Sequence, residues 1–272
     1  MEIRRAIVFP GQGSGGGEVS GGVREAVRDH VGEGEVPYQL SVFANSVSLL
    51  YELRERGIEP DVVAGHSLGE YAAAHAAGSL SLEDGVRLVA ERDRLMNEAS
   101  RENPGGMIAV IGTDPMEVAR AVESADGTVV AANFNTPRQT VISGEVAALE
   151  KVAEGIKGRK VRLGVAGAFH SPLMLEASRA MGRLLSEVEI DDPRIPMVSA
   201  TDGAVLAVAE DVRLALRNQM LSPVRWVAVI ERFAELGVEE VIEAGADGTL
   251  TRMLRDFRGM NIKGRKAEEA LA

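Results

Sequence analysis

Short apolar runs alternate with longer helical patterns along this chain, and this alternation restricts the possible fold more than any other feature. AIVF at residues 6–9 ends at Pro10, a second run spans 61–64, and EVIEAG comes late. Between the first two runs, residues 38–56 carry apolar side chains at helical spacing. Strand-like and helix-like segments in this order are typical of a parallel sheet covered by helices. We therefore predict an α/β protein with a mostly parallel main sheet.

The segment from residue 105 to 165 has an order of its own. MIAVIG predicts a strand, Asp114 and Pro115 begin a helix, TVVAA and QTVIS predict strands on either side of a loop NFNTPR, EVAALEKVAEG predicts a helix and KVRLGV a strand. The order β-α-β-β-α-β is ferredoxin-like. We expect a large subdomain from 1–104 and 166–272, interrupted by a small ferredoxin-like subdomain at 105–165.

Ser67 lies between two glycines where the second apolar run becomes an alanine-rich helix. This is the pattern of a nucleophile elbow, in which a serine occupies the strained tip of a strand-turn-helix. Glycines at 65 and 69 are needed where a side chain would collide with the strand and the helix. The N–H of Leu68, at the helix N-terminus, is placed to stabilise an oxyanion, and the loop PGQGSG offers a second donor.

The four histidines provide candidate bases for Ser67. His66 precedes the serine on the elbow, His75 lies two helical turns beyond it, and His30 lies in a polar, glycine-broken stretch. His170 follows a predicted strand, where sites of α/β proteins gather, and the elbow favours it as the base. The alternative is a structural histidine, with His30 or His75 as the base.

Arg92 is out of place on its predicted helix. The residues three and four positions away are Leu88, Val89, Leu95 and Met96, so Arg92 lies on an apolar face. A buried arginine requires a carboxylate or several acceptors. Two interpretations stay open: an internal ion pair or snorkelling side chain, and a fork that binds a substrate carboxylate.

Composition excludes several classes of function. The absence of cysteine rules out disulfides, a thiol nucleophile and cysteine-ligated metal, and the histidine spacing predicts no metal site. A net charge of −11 disfavours a nucleic-acid partner. No apolar run is long enough for a membrane span or a signal-peptide core, so we expect a cytoplasmic protein without membrane association.

Six motifs, taken together, resemble those of malonyl-CoA:acyl-carrier-protein transacylases and the acyltransferase domains of polyketide synthases. In chain order they are FPGQGS, GHSLGEY, ERDRLM, NFNTPRQTVISG, AFHSPLM and EAGADGTL. The resemblance implies an α/β-hydrolase-like large subdomain with a ferredoxin-like insertion. It implies malonyl-CoA as substrate, an acyl carrier protein as partner and no cofactor beyond the coenzyme A thioester itself. We expect a monomer that serves fatty acid, polyketide or malonate decarboxylase chemistry.

The resemblance also assigns roles to residues. It implies that Ser67 is acylated with His170 as its base, and that the N–H groups of Gln12 and Leu68 form the oxyanion hole. Arg92 would bind the malonyl carboxylate. A main-chain carbonyl in RNQMLSPVRW, which we assign to residue 219 (Gln219), would orient the histidine. Leu68 and Phe169 match the malonyl-selective pattern.

The chain departs from that family at three places. Gly15 and Gly167 replace a usual glutamine and a common histidine, and the span before Tyr38 is short. Residues 15–36 contain few large apolar side chains, so we expect a mobile or minimal connection without a packed entry helix. Two other functions stay open: a serine hydrolase or thioesterase, which would use water as acceptor, and a non-catalytic interaction protein on this fold.

Overall fold

The computed structural model describes residues 3–15, 17–165 and 167–272. Gly16 of the glycine-rich loop and Ala166 at the expected subdomain boundary lie outside the described residues. The strands are β1 Arg5–Phe9, β2 Val62–Gly65, β3 Gly105–Ile111, β4 Val129–Thr136, β5 Gln139–Glu145, β6 Arg159–Arg162, β7 Met197–Val198, β8 Val205–Leu206, β9 Glu240–Glu243 and β10 Lys263–Lys266. The α-helices are α1 Gly21–Val31, α2 Tyr38–Glu55, α3 Gly69–Ala77, α4 Leu82–Glu102, α5 Pro115–Glu123, α6 Val146–Gly155, α7 Leu175–Ser186, α8 Ala209–Asn218, α9 Trp226–Leu236, α10 Thr249–Met253 and α11 Ala267–Leu271.

The larger sheet has the order β10-β9-β1-β2-β7-β8. Every pairing in it is parallel except that of β7 with β8. The apolar residues of the central strand β1, from Ala6 to Phe9, are 0% exposed. Helices cover both faces of such a sheet, which explains why its central strands are apolar throughout rather than alternating. The predicted α/β class with a mostly parallel sheet is confirmed.

The smaller sheet is antiparallel and has the order β4-β5-β3-β6. With α5 and α6 it forms the β-α-β-β-α-β unit, and its strand order along the chain is ferredoxin-like. Val110, Ile142 and Leu149 form part of a core of its own. Its strands fall between residues 105 and 162, whereas the expected boundaries at 105 and 165 stay a prediction.

Helix α3 lies against the larger sheet because its buried face is mostly alanine, and it ends at Gly78, whose φ is 81°. Ser81 caps the N-terminus of helix α4, because its hydroxyl accepts the N–H of Asp84 at 3.0 Å. These two helices contact each other and place Ser67 and Arg92 at the same end of the sheet.

The expectation of no packed helix before residue 36 is wrong for residues 21–31. Helix α1 packs against α2 and α4 through Val23 and Val27, which are 0% and 7% exposed. These two valines, four positions apart, form an apolar stripe together with the partly buried Ala26 and Val31. The chain ahead of α1 is held as well, since Asn45 Nδ2 donates to the carbonyl of Glu18 at 3.0 Å.

Strand boundaries differ from prediction where the apolar pattern is weak. The predicted loop NFNTPR belongs largely to β4, which continues to Thr136 through two register shifts, and β6 ends at Arg162 rather than at Val165. Strand β10, KGRK, carries no apolar residue and lies at the sheet edge, where burial does not select apolar side chains.

Candidate active site

Ser67 occupies the turn between β2 and α3 with a left-handed backbone, φ 53°. Both flanking glycines are required by space. A Cβ on Gly65 would lie 2.0 Å from the carbonyl carbon of Gly69, and a Cβ on Gly69 would lie 2.0 Å from the carbonyl oxygen of Phe9. The G-x-S-x-G spacing therefore serves the close approach of strand, turn and helix that exposes a serine at the tip of an elbow.

His170 contacts Ser67 directly. Its Nε2 lies 2.8 Å from Ser67 Oγ, and its Nδ1 lies 2.8 Å from the carbonyl oxygen of Gln219 and 3.0 Å from that of Ser222. Two carbonyl acceptors on one side require the proton on Nδ1, so Nε2 carries the lone pair that accepts the Ser67 hydroxyl.

Electrostatics keep His170 neutral at ordinary pH. Burial, assisted by the nearby Arg92 cation, lowers the pKa of His170 to about 4, although its hydrogen bond to Gln219 opposes this shift. A neutral imidazole that holds the serine hydroxyl can act as a general base.

The remaining histidines have other partners. His75 Nε2 is 2.8 Å from Tyr51 Oη, and His66 Nε2 is 2.9 Å from Asn135 Oδ1. His30 is exposed on α1. Within the described residues, His170 is thus the histidine that the fold brings to Ser67.

Arg92 is 0% exposed and reaches the nucleophile from α4. Its Nη2 donates to Ser67 Oγ at 3.1 Å and to Gln219 Oε1 at 3.0 Å, and its Nε donates to the same Gln219 oxygen at 3.3 Å. Nη1 donates to Gln39 Oε1, and the guanidinium carbon is 6.0 Å from the centre of the Tyr71 ring. In the described part of the chain its hydrogen-bond acceptors are all neutral. The arrangement therefore differs from the internal ion pair considered as one alternative.

A layer behind these residues was not predicted from the sequence. Glu70 is 0% exposed, and burial raises its pKa to about 8. Its Oε2 accepts Gln219 Nε2 at 3.1 Å, and its Oε1 accepts the N–H of Ala200 at 3.0 Å. Gln39, Ser222 and Glu70 were all missed. For Gln39 and Glu70 the available signal was a polar residue among the apolar positions of α2 and α3, whereas Ser222 lies outside the helices.

The cleft in front of Ser67 has a volume of about 440 Å³ and lies between the two sheets. Gln12 lines it together with Ser67 and His170, whereas Leu68 is only 1% exposed and its N–H stands at the start of α3. Tyr38 holds the Gln12 loop, because its hydroxyl accepts the N–H of Gly13 at 3.0 Å. The smaller sheet supplies the facing wall, including Met107, Ala109, Asn133, Asn135, Gln139 and Val141.

The sequence matches the model of the acyl transferase domain over residues 33–266. It is 36% identical over 224 residues to the malonyl CoA-acyl carrier protein transacylase of Bacillus subtilis (strain 168), an alignment that covers 80% of this chain and 71% of that protein.

The chain belongs to the malonyl-CoA:acyl-carrier-protein transacylase family.

Solved structures of transacylases agree over almost the whole chain. The malonyl-CoA:ACP transacylase of Synechocystis sp. PCC 6803 superposes with a TM-score of 0.88 at 30% identity, covering 99% of each chain. A malonyl-transacylase in complex with a type II PKS acyl-carrier protein, PlMCAT:AntF, gives 0.86 at 31% identity, covering 97% of this chain and 96% of that one. This chain is thus an acyltransferase with the two-subdomain fold of the transacylase family. Of its described helices, none has both the length and the apolar character needed to cross a bilayer.

Proposed function

We propose that this acyltransferase moves a malonyl group from coenzyme A to the thiol of an acyl carrier protein, in a ping-pong sequence through an ester on Ser67. The observation that carries the proposal is the placement of Arg92, a buried cation with neutral acceptors that donates a hydrogen bond to the nucleophile itself. A carboxylate two bonds beyond an ester at this serine lies within reach of that guanidinium. The names of the relatives support the same substrate and acceptor.

In the first half-reaction, Ser67 Oγ attacks the thioester carbonyl while its proton passes to His170 Nε2. The oxyanion accepts hydrogen bonds from the N–H groups of Gln12 and Leu68. The C–S bond then breaks, the sulfur receives the proton from His170, and coenzyme A departs as a thiol.

In the second half-reaction the carrier thiol gives its proton to His170 and attacks the ester carbonyl. The C–O bond breaks, Ser67 Oγ takes back the proton, and the malonyl group leaves on the carrier. The two half-reactions together consume no water and need no cofactor other than the thioester. Because Ser67, His170 and Arg92 come from one chain, a monomer is sufficient.

Arg92 has donors for a bidentate contact. Of its five N–H groups, Nε and one on Nη2 serve Gln219, one on Nη1 serves Gln39, and one on Nη2 contacts Ser67. The second N–H on Nη1 and the one now on Ser67 can form two parallel bonds to a carboxylate.

The experiment is the intact mass of the enzyme after incubation with malonyl-CoA, together with kcat/KM for malonyl-CoA and acetyl-CoA. We expect a single malonyl adduct on the wild type and none on Ser67→Ala. Arg92→Ala should lower the malonyl-to-acetyl ratio by roughly one to two decades, the equivalent of a charge-assisted pair of about 1.5–3 kcal/mol. A fall in both activities together with a lower Tm would instead mark Arg92 as structural. Rapid release of free malonate from the adduct in the absence of thiol would favour a hydrolase.

A further inference from the structure

Gln219 makes three contacts that link the parts of the candidate site. Its carbonyl accepts His170 Nδ1 at 2.8 Å, its Oε1 accepts Arg92, and its Nε2 donates to Glu70 at 3.1 Å. The residue is 1% exposed, so these contacts are made away from solvent.

The side-chain amide of Gln219 has two possible orientations, and only one of them suits its neighbours. With Oε1 toward Arg92, the guanidinium N–H groups meet an acceptor and Nε2 meets a carboxyl oxygen of Glu70. Rotated by half a turn, Nε2 would point its N–H groups at those of Arg92, which has no acceptor to offer. Arg92 and Glu70 therefore favour the same orientation, Arg92 by donating to Oε1 and Glu70 by accepting from Nε2.

We propose that Glu70 is a positioning residue for malonyl selectivity, which holds the amide of Gln219 with its oxygen toward Arg92 and so aims the guanidinium at the acyl group on Ser67. This inference rests on the function proposed above and adds a residue that touches neither substrate nor nucleophile.

A carboxyl group is needed at position 70 because both of its oxygens accept. Oε1 accepts the N–H of Ala200 at 3.0 Å while Oε2 accepts Gln219. A carboxyl group keeps acceptor capacity at both oxygens whether or not it is protonated. The amide introduced by Glu70→Gln has almost the same shape but only one acceptor. It can satisfy Ala200 or Gln219, and if it satisfies Ala200 its own NH₂ faces Gln219 and favours the rotated orientation.

The test is kcat and KM for malonyl-CoA and acetyl-CoA on the wild type and Glu70→Gln. We expect kcat/KM for malonyl-CoA to fall about tenfold, mainly through KM, because a misdirected guanidinium loses part of a charge-assisted pair. Acetyl-CoA, which has no carboxylate, should change less than about threefold. An unchanged malonyl-to-acetyl ratio, or an equal fall for both substrates, would overturn the proposal.

Gln219→Leu provides a second route to the same answer, since it removes the amide and leaves the main-chain carbonyl in place. It should lower the ratio as well, and Glu70→Gln added to it should lower the ratio no further, because Glu70 acts through that amide. A wild-type ratio in Gln219→Leu, or additive losses in the double variant, would contradict the proposal even where Glu70→Gln alone folds poorly.

Arg92→Ala, measured in the same series, separates the two proposals. If Arg92→Ala keeps the wild-type ratio, the proposed malonyl specificity fails. If Arg92→Ala lowers the ratio and Glu70→Gln does not, the proposed function stands and only the role of Glu70 is wrong.

Discussion

Ser67 and His170 both have a left-handed backbone, with φ of 53° and 58°, and are the two non-glycine residues in the described part of the chain with positive φ. Such a conformation costs of order 1–3 kcal/mol for a residue with a Cβ. The strain directs Ser67 Oγ and His170 Nε2 toward each other, so conformational energy is stored at the two residues whose placement matters most for proton transfer.

Replacing Ser67 by glycine should therefore yield a more stable protein than replacing it by alanine. Both variants lose the hydroxyl, but only glycine adopts positive φ without steric cost. We expect Ser67→Gly to exceed Ser67→Ala in free energy of unfolding by about 1 kcal/mol, as measured by urea denaturation. Equal stabilities would show that the turn relaxes when the hydroxyl is absent.

Arg92 should set the acidic limit of activity through His170. Transfer requires neutral His170, so activity is lost as pH falls through a pKa of about 4. Arg92 is one cause of this low value, after burial, and its removal should raise the pKa and move the loss to higher pH. The measurement is the pH profile of kcat/KM for acetyl-CoA, in wild type and Arg92→Ala, with recovery at pH 7 as the control for unfolding. Loss of activity at the same or a lower pH in the variant would contradict the proposed effect of Arg92 on the pKa of His170.

At the scale of elements, the short segment before α2 contributes a packed helix. Val23 and Val27 are its buried residues, and they join the same core as α2 and α4. Ala26 and Val31 are partly buried against the same core, so Val23 and Val27 are the two buried side chains through which the helix packs.

Val23→Ala should destabilise the protein by about 1–2 kcal/mol, since it removes two buried methyl groups at about 0.8 kcal/mol each. Glu25→Ala, on the exposed face of α1, serves as the matched control and should change stability by less than about 0.5 kcal/mol. Amide exchange should be slow in the second half of α1 in the wild type and faster in Val23→Ala. Rapid wild-type exchange throughout residues 24–31 would show that the helix is not stably packed.

At the scale of the whole molecule, Glu70 links the interior to the pH of the solution. Its pKa of about 8 in the fold lies above the ordinary value of 4.5, so the folded state binds the proton more tightly than the unfolded chain. The stability from this group is fully present below the unfolded pKa, declines as pH rises and is lost above about 8. The decline is about 1.4 kcal/mol per pH unit between the two values.

In urea unfolding between pH 5.5 and 8.5, the stability of the wild type minus that of Glu70→Gln should therefore fall as pH rises. The variant lacks this titration, and all other groups are common to both proteins. Parallel curves would mean that Glu70 is ionised throughout this range.

The fold was more predictable than the site. The parallel sheet and the ferredoxin-like order follow from local patterns, because strand and helix periods are visible within ten residues. The elbow at Ser67 is local as well. The layer around Gln219 is not, since Arg92 and Glu70 lie 127 and 149 positions away from it in sequence. No periodicity encodes which amide meets which carboxyl group, and α1 was missed because two valines are a weak signal. The structure brings Ser67, His170, Arg92 and Gln219 together, and their catalytic roles stay proposals.

The pairing of β4 with the chain after α8 affects the design of chimeras between this protein and its relatives. Val224 N–H donates to the carbonyl of Ala132 at 2.8 Å, and the N–H of Phe134 donates to the carbonyl of Val224 at 2.7 Å. Two residues before Val224, Ser222 accepts His170 Nδ1. A chimera that takes its smaller sheet from a relative therefore also replaces the β4 backbone that holds Val224, and with it the segment whose Ser222 carbonyl contacts His170. Crossover points at residues 105 and 165 alone would take β4 from one parent and residues 219–224 from the other. Because these segments contact each other, both should come from the same parent.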